Sequence, residues 1–349
     1  MQSLAVNPIR VGFNGFGKLG RLRYEKVCLS DRWEPVGFFD PRARSNQSGM
    51  RQCSSVDELL TRDELDAVII ATPSALTNAY VRDCLRSGVA VFAEKPPATS
   101  MDELLTTLKV YKNLRKPVLM YGFNHQHKPS FQSIMGIVNS GVLGEVLWMR
   151  GRYGKEMAED FGADWRSDIS LSGGGILLDQ GIHLVDLMRQ ISGGFDQVSS
   201  AVSSRYGHFP GVEDNAFAIL SSSQSGISAS LHSTMTQWRY IFALEIFLEN
   251  GSIVWNGLKT PSGNYGTEDL AVHARCGVFE QTDKHEYLID EWEHELDIFA
   301  EAVVSRKPPA TGSIFQALET LKLVEMIYRA DQGFWDERQA ALAARSSHS

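Results

Sequence analysis

The sequence predicts an α/β domain built on a doubly wound parallel sheet, followed by an α+β domain with a mainly antiparallel sheet. Three observations carry this expectation. At 349 residues the chain is long for one domain and long enough for two packed cores. Through residue 122, short and almost wholly apolar runs alternate with amphipathic stretches, the pattern of a parallel sheet covered by helices on both faces. Beyond it, alternating segments succeed one another with only Gly and Asn turns between them, as consecutive antiparallel strands do. The implied domains are 1–122 and 123–349.

In the first domain the strand candidates are 10–14, 35–39, 67–71, 89–93 and 118–121, and the helix candidates are 18–29, 55–60, 76–87 and 100–112. Asp57 and Asp102 fall in first turns, where a carboxylate meets the positive end of the helix dipole. The second domain opens with a helix over 129–140 and a strand over 146–153, then a Gly-rich entry at 172–175 into another helix. Strands follow at 198–206, 215–221, 226–234, 242–248 and 252–255. Helices at 289–305 and 314–332, separated by Lys307, Pro308 and Pro309, precede a short Ala/Ser tail after Gln339.

Composition excludes several function classes. The chain is 43% hydrophobic and 22% charged, which is ordinary for a water-soluble globular protein. With 34 basic and 42 acidic residues the net charge is −8, a surface that repels phosphate backbones, so neither a nucleic-acid nor a membrane partner is expected. The apolar runs 67–71 and 241–248 fall short of the roughly 20 residues that span a bilayer. No signal-peptide pattern opens the chain. Cys28, Cys53, Cys84 and Cys276 are scattered without a C-x-x-C pair, which suits reduced thiols and a cytoplasmic protein.

Gly15, Phe16, Gly17, Lys18, Leu19 and Gly20 form G-F-G-K-L-G between a strand candidate and a helix candidate. The first glycine allows the tight turn, the second lets backbone amides approach a pyrophosphate, and the third lets helix pack on strand. Asp40 follows the second strand candidate, where a carboxylate accepts hydrogen bonds from adenosine ribose hydroxyls. The cofactor expected is therefore NAD. NADP stays open, because Arg42 and Arg44 stand where they could meet a 2′-phosphate. Lys95, between Glu94 and Pro96, emerges at the carboxyl end of the fourth strand candidate, where a lysine can steady a developing alkoxide.

In G-G-G-I-L-L-D-Q-G-I-H-L-V-D, Asp179, His183 and Asp186 share one helix face, and an imidazole that titrates near neutrality suits proton exchange with an alcohol. D-x-x-x-H also resembles half of a metal site, but no further ligands cluster with it and no metal is expected. Asn124, His125, Gln126 and His127 read as a loop that lines a site. Arg150 and Arg152 share a strand face and could grip an acidic or phosphorylated substrate, and Lys155 and Trp165, which Arg166 follows, are further candidates for substrate contact.

The ordered set G-F-G-K-L-G, A-T-P (71–73), E-K-P (94–96) and G-G-G-x-L-x-D-x-G-x-H-x-x-D closely resembles the Gfo/Idh/MocA oxidoreductases over almost the whole chain. The resemblance implies a Rossmann domain, then an open, mainly antiparallel sheet domain. It implies a hydride exchanged between NAD(P) and a hydroxyl or keto carbon of a sugar, polyol or sugar nucleotide. It further implies that Lys95, Asp179 and His183 are the catalytic trio, that Thr72, Pro73, Glu94 and Lys95 lie by the cofactor, and that Asn124 lies near nicotinamide and substrate. One position departs from the pattern: Thr77 stands where members often carry His. Subunits of such proteins commonly pair through the outer sheet face, so a homodimer or homotetramer is expected. Two other classes fit the same resemblance: a glycoside hydrolase that oxidises its sugar transiently on bound NAD, and a cofactor-binding sensor without turnover.

Overall fold

The computed structural model describes residues 7–43, 48–62, 64–260, 263–275, 280–284 and 290–346. The chain divides into two compact units, Met1–Asn124 with Asp290–Leu318, and His125–Ile289 with Glu319–Ser349. Among the described residues no helix is long and apolar enough to cross a membrane.

The first unit runs β1 (Ile9–Asn14), α1 (Lys18–Val27), β2 (Trp33–Phe39), β3 (Arg51–Cys53), α2 (Val56–Arg62), β4 (Ala67–Ile70), α3 (Ser74–Arg86), β5 (Ala90–Glu94), α4 (Met101–Asn113) and β6 (Leu119–Gly122). All six strands are parallel, in the order β3-β2-β1-β4-β5-β6. This is the doubly wound arrangement, with the order reversing beside β1. Strands β4, β5 and β6 are buried throughout, which explains their unbroken apolar sequence. The register sets Asn14 beside Phe39 and Ile70, Ile70 beside Ala93, and Glu94 beside Gly122. Gly15, Asp40, Thr72, Lys95 and Asn124 therefore follow neighbouring strands along one edge of the sheet.

The second unit runs α5 (Pro129–Ser140), β7 (Val146–Glu156), α6 (Ile169–Ser172), a π-helical turn at Leu177–Gly181, α7 (Ile182–Ser192), β8 (Gln197–Ser203), β9 (Asn215–Ser221), β10 (Ser228–Thr234), β11 (Thr236–Leu248) and β12 (Gly251–Asn256). The short β13 (Lys259–Thr260) and β14 (Gly263–Asn264) pair with each other, and β15 (Asp269–Ala274) and β16 (Glu280–Lys284) extend the main sheet. That sheet has eight strands in the order β16-β15-β12-β11-β7-β10-β9-β8, antiparallel except where β7 and β10 run parallel. Only Met235 separates β10 from β11, so no turn signal could have divided them.

Helix α8 (Glu291–Ser305) belongs to the first unit, although the sequence pattern groups 123–349 together. Its buried stripe Leu296, Phe299, Ala300 and Val303 enters the first core, with Phe299 stacked on Trp33 at 5.7 Å and edge-on to Phe92 at 5.7 Å. Helix α9 (Ile314–Ala330) follows, and α10 (Gln332–Ser346) runs on through most of the Ala/Ser tail after Gln339.

Candidate active site

The glycine turn fits a dinucleotide by the space around it. Gly15 has φ +89°, and a Cβ there would come within 2.5 Å of the Ala71 carbonyl oxygen. A Cβ on Gly20 would come within 2.1 Å of the Gly15 oxygen, so α1 can approach β1 this closely only without a side chain. A Cβ on Gly17 would meet nothing within 4 Å, so the open side of the turn lies at the first turn of α1. That first turn carries no acidic residue and no side-chain cap, which leaves amide donors and the positive dipole end for an anion.

Phe16 contributes to this turn through its backbone, since its ring is buried and stacked on Phe38 at 4.4 Å. The Phe16 amide donates to Asp40 Oδ2 at 2.7 Å and the Arg42 amide to Asp40 Oδ1 at 2.8 Å, which fixes the carboxylate at the end of β2. Gly17, Lys18 and Arg42 are exposed, and Leu19 is half-buried. Arg44 lies outside the described residues. Thr72, beside Pro73, bonds Thr77 hydroxyl to hydroxyl at 3.0 Å, so the residue that departs from the family pattern braces the A-T-P turn.

Lys95 is half-buried and precedes Pro96 through a cis peptide. The Glu94 carboxylate ion-pairs with buried Arg23 at 2.7 Å. Buried Asn78 holds the other side of the turn: its amide donates to the Pro97 carbonyl, and its Oδ1 accepts from Thr107 at 2.8 Å and Tyr121 at 3.2 Å. Neither support was visible as a motif. Asn124 is buried directly after β6.

In the second unit the imidazoles of His125 and His183 stack with centroids 3.9 Å apart and planes 10° apart. His125 Nε2 bonds Tyr153 Oη at 3.0 Å, and Phe242 stands edge-on to Tyr153 at 5.2 Å. His183 is thus seated on a buried aromatic column that reaches into the sheet. Asp179, on the π-helical turn, pairs with Arg166 at 3.5 Å, and Arg166 lies over the Trp165 ring at 4.4 Å. Burial opposes the charge on Arg166, but Asp179 and Asp164 outweigh it and raise its pKa. Asp186, the third residue of the motif, accepts from Arg189 at 3.0 Å, Thr320 at 2.7 Å and Gln190 at 2.8 Å, a structural role.

Glu213 explains Gly175, the last of the three glycines. Its carboxylate accepts from the Gly175 amide at 2.6 Å, the Leu177 amide at 2.8 Å and Tyr328 Oη at 2.8 Å, capping the turn that presents Asp179. Burial pushes the Glu213 carboxyl above the ordinary range, against the pull of Tyr328 and the backbone amides. Arg152 projects from the sheet face opposite the one that meets α7. Met149, Gly151 and Tyr153 face inward, with Gly151 against Leu184 of α7, whereas Arg150 and Arg152 are exposed on the opposite face. There Arg150 pairs with Glu245 at 2.6 Å, and Arg152 lines a shallow cavity of about 430 Å³ with His232 and Phe217. Lys155 has the inward parity and is half-buried.

Residues 9–123 match the model described as "Oxidoreductase family, NAD-binding Rossmann fold", and 131–254 match the "GFO/IDH/MocA C-terminal domain". Fold and glycine turn thus define an NAD(P)-dependent oxidoreductase. The chain belongs to the GFO/IDH/MocA family. It is 26% identical over 322 residues to a dTDP-3,4-didehydro-2,6-dideoxy-alpha-D-glucose 3-reductase from Actinomadura kijaniata, covering 88% of this chain and 91% of that one. It is 23% identical over 319 residues to the oxidoreductase YrbE of Bacillus subtilis (strain 168), covering 87% and 89%. Among solved structures, a levoglucosan dehydrogenase in complex with NADH superposes with TM-score 0.82 at 19% identity, covering 94% of this chain and 98% of the other.

Proposed function

We propose that the protein moves a hydride between a nicotinamide dinucleotide and a secondary hydroxyl or keto carbon of a sugar, polyol or sugar nucleotide. The supporting observation is that both proton-handling groups are held by built structure. Lys95 follows a carboxylate paired with buried Arg23, and His183 is stacked on His125. The names of the relatives point to the same substrate class.

The amides at the start of α1 and the carboxylate of Asp40 hold the dinucleotide, and Lys18, Leu19, Thr72 and Pro73 border it. The bound nicotinamide supplies the hydride acceptor or donor. Lys95 holds the reacting oxygen and favours its alkoxide character. His183 takes the hydroxyl proton during oxidation and returns it during reduction, while Asp179, paired with Arg166, holds the imidazole in orientation. Asn124, Lys155 and Trp165 contact substrate in this reading. NAD is preferred, because a carboxylate at Asp40 repels a ribose 2′-phosphate.

The deciding experiment assays sugars, sugar acids and nucleotide sugars for NAD and NADP reduction. Lys95→Ala and His183→Ala should each lower turnover at least about a hundredfold while NADH still binds. Near wild-type turnover in either variant rejects the assignment. Product without a change in nicotinamide absorbance would make the enzyme a hydrolase of the transient-oxidation type instead.

We also assign a homodimer or homotetramer in the cytoplasm. Trp148, Phe217 and Ile219 are exposed on the outer face of the eight-stranded sheet, and the scattered thiols fit a reducing compartment. A monomer in sedimentation at micromolar concentration would contradict the assembly.

A further inference from the structure

Arg23 has no exposed surface, yet neither the glycine turn nor Lys95 accounts for it. It projects from α1 into a slot between Phe92 and Trp292, whose ring centroids lie 4.4 and 4.1 Å from its guanidinium carbon. Its Nε donates to Glu94 Oε1 at 2.7 Å and its Nη2 to Glu295 Oε2 at 2.6 Å. Helix α1, the end of β5 and helix α8 therefore meet on one cation. Gly122, which pairs with Glu94 across the β5–β6 ladder, completes the enclosure: a Cβ there would lie 3.2 Å from both Arg23 Nη2 and Glu94 Oε2.

The charges do not balance if all three groups are ionised. One guanidinium faces two buried carboxylates, and a second carboxylate charge without a partner is expensive in such surroundings. The neutral arrangement keeps Arg23 cationic, Glu94 ionised and a proton on Glu295. Glu295 is the better proton holder on geometry, since it is fully enclosed and its Oε1 has no hydrogen-bond partner among the described residues. The charged groups acting on it are Arg23 from α1, Glu94 from β5 and Glu291 from its own helix. Burial, opposed by Arg23 and reinforced by Glu94 and Glu291, pushes the Glu295 carboxyl up to about 8.

We propose that Arg23 is a positioning residue for Lys95, acting through Glu94, and that the cluster keeps its geometry only while Glu295 holds its proton. The link to Lys95 rests on the catalytic reading above. When Glu295 releases its proton to solvent, the enclosed cluster carries a net negative charge and two carboxylates repel each other around one guanidinium. The end of β5, and with it Lys95, then loses a fixed anchor. Because the folded carboxyl binds its proton more tightly than the unfolded one, its contribution to stability is complete at acid pH and is lost as pH rises through about 8.

The test compares the full chain with Glu295→Gln, which keeps the shape and mimics the protonated acid. Thermal unfolding without ligand, from about pH 6 to about pH 9.5, should show the wild-type midpoint falling while the variant stays flatter, so that the variant is the more stable at the alkaline end. The alkaline limb of the turnover profile should move up in the same variant. Arg23→Met should lower kcat about a hundredfold while NADH affinity, read by fluorescence, stays within about threefold. Parallel unfolding curves overturn the proposal even if Arg23→Met does not fold. Diverging curves with an unmoved alkaline limb overturn the link to Lys95. The unfolding arm contains neither substrate nor cofactor, so its outcome is separate from the catalytic reading, which fails instead if Lys95→Ala retains turnover.

Discussion

His125 and His183 lie face to face with ring centroids 3.9 Å apart, and His125 is itself tied to Tyr153 at 3.0 Å. A flat partner at that distance restricts the His183 ring plane, and a displacement of about 1 Å in a reacting group costs on the order of a hundredfold in rate. His125→Phe keeps a flat ring and should hold kcat within about tenfold of wild type. His125→Ala removes the support and should lower kcat by about a hundredfold, with a smaller change in KM. Steady-state kinetics of the two variants checks this, and equal losses in both would show that the ring face is not what matters.

Asp40 accepts the Phe16 and Arg42 amides while its charge faces the expected ribose position. Asp40→Ala removes the repulsion toward a 2′-phosphate and leaves exposed Arg42 in place. The ratio of kcat/KM with NADP to that with NAD should rise at least about tenfold, equivalent to about 1.4 kcal/mol. The two lost acceptor bonds should also lower the melting temperature.

The sheet-edge residues were legible because each follows an apolar run that can hardly be anything but a buried strand. Gly15, Asp40, Thr72, Lys95 and Asn124 line up once five such runs are placed side by side. What the sequence hides is pairing over distance. Arg23 meets Glu94 and Glu295 across 71 and 272 residues, and no periodicity connects them. Arg150 and Arg152 do share a face, as alternation requires, but strand parity alone does not say which face meets α7; the contact between Gly151 and Leu184 decides it. Helix α8 was readable as a helix, whereas its place in the first core depends on Phe299 finding Trp33 and Phe92.

The triple glycine makes a sharper demand than flexibility. A Cβ on Gly175 would lie 1.9 Å from the Glu213 carbonyl oxygen and 2.6 Å from its nitrogen, both backbone atoms that cannot swing away. Gly175→Ala must therefore separate two segments that hydrogen-bond each other, at a cost of at least about 3 kcal/mol. Thermal unfolding should show a drop of several degrees, and turnover should fall with it because Asp179 hangs from the same turn. A melting temperature equal to wild type would mean that the turn is held elsewhere.

Glu213 and Tyr328 allow a graded test of that same support. Tyr328→Phe removes one donor and leaves Glu213 with the Gly175 and Leu177 amides, a loss of about 1–3 kcal/mol. Glu213→Gln is nearly isosteric but should cost more, because its single carbonyl oxygen cannot serve both carboxylate positions. Its NH₂ group must face a donor: the Gly175 amide in one orientation, or the Leu177 amide and Tyr328 hydroxyl in the other. Denaturant unfolding should rank stability as wild type, then Tyr328→Phe, then Glu213→Gln. The reverse order would show that Glu213 holds its proton and donates, since glutamine would then imitate it well and the capping role assigned to its carboxylate would be wrong.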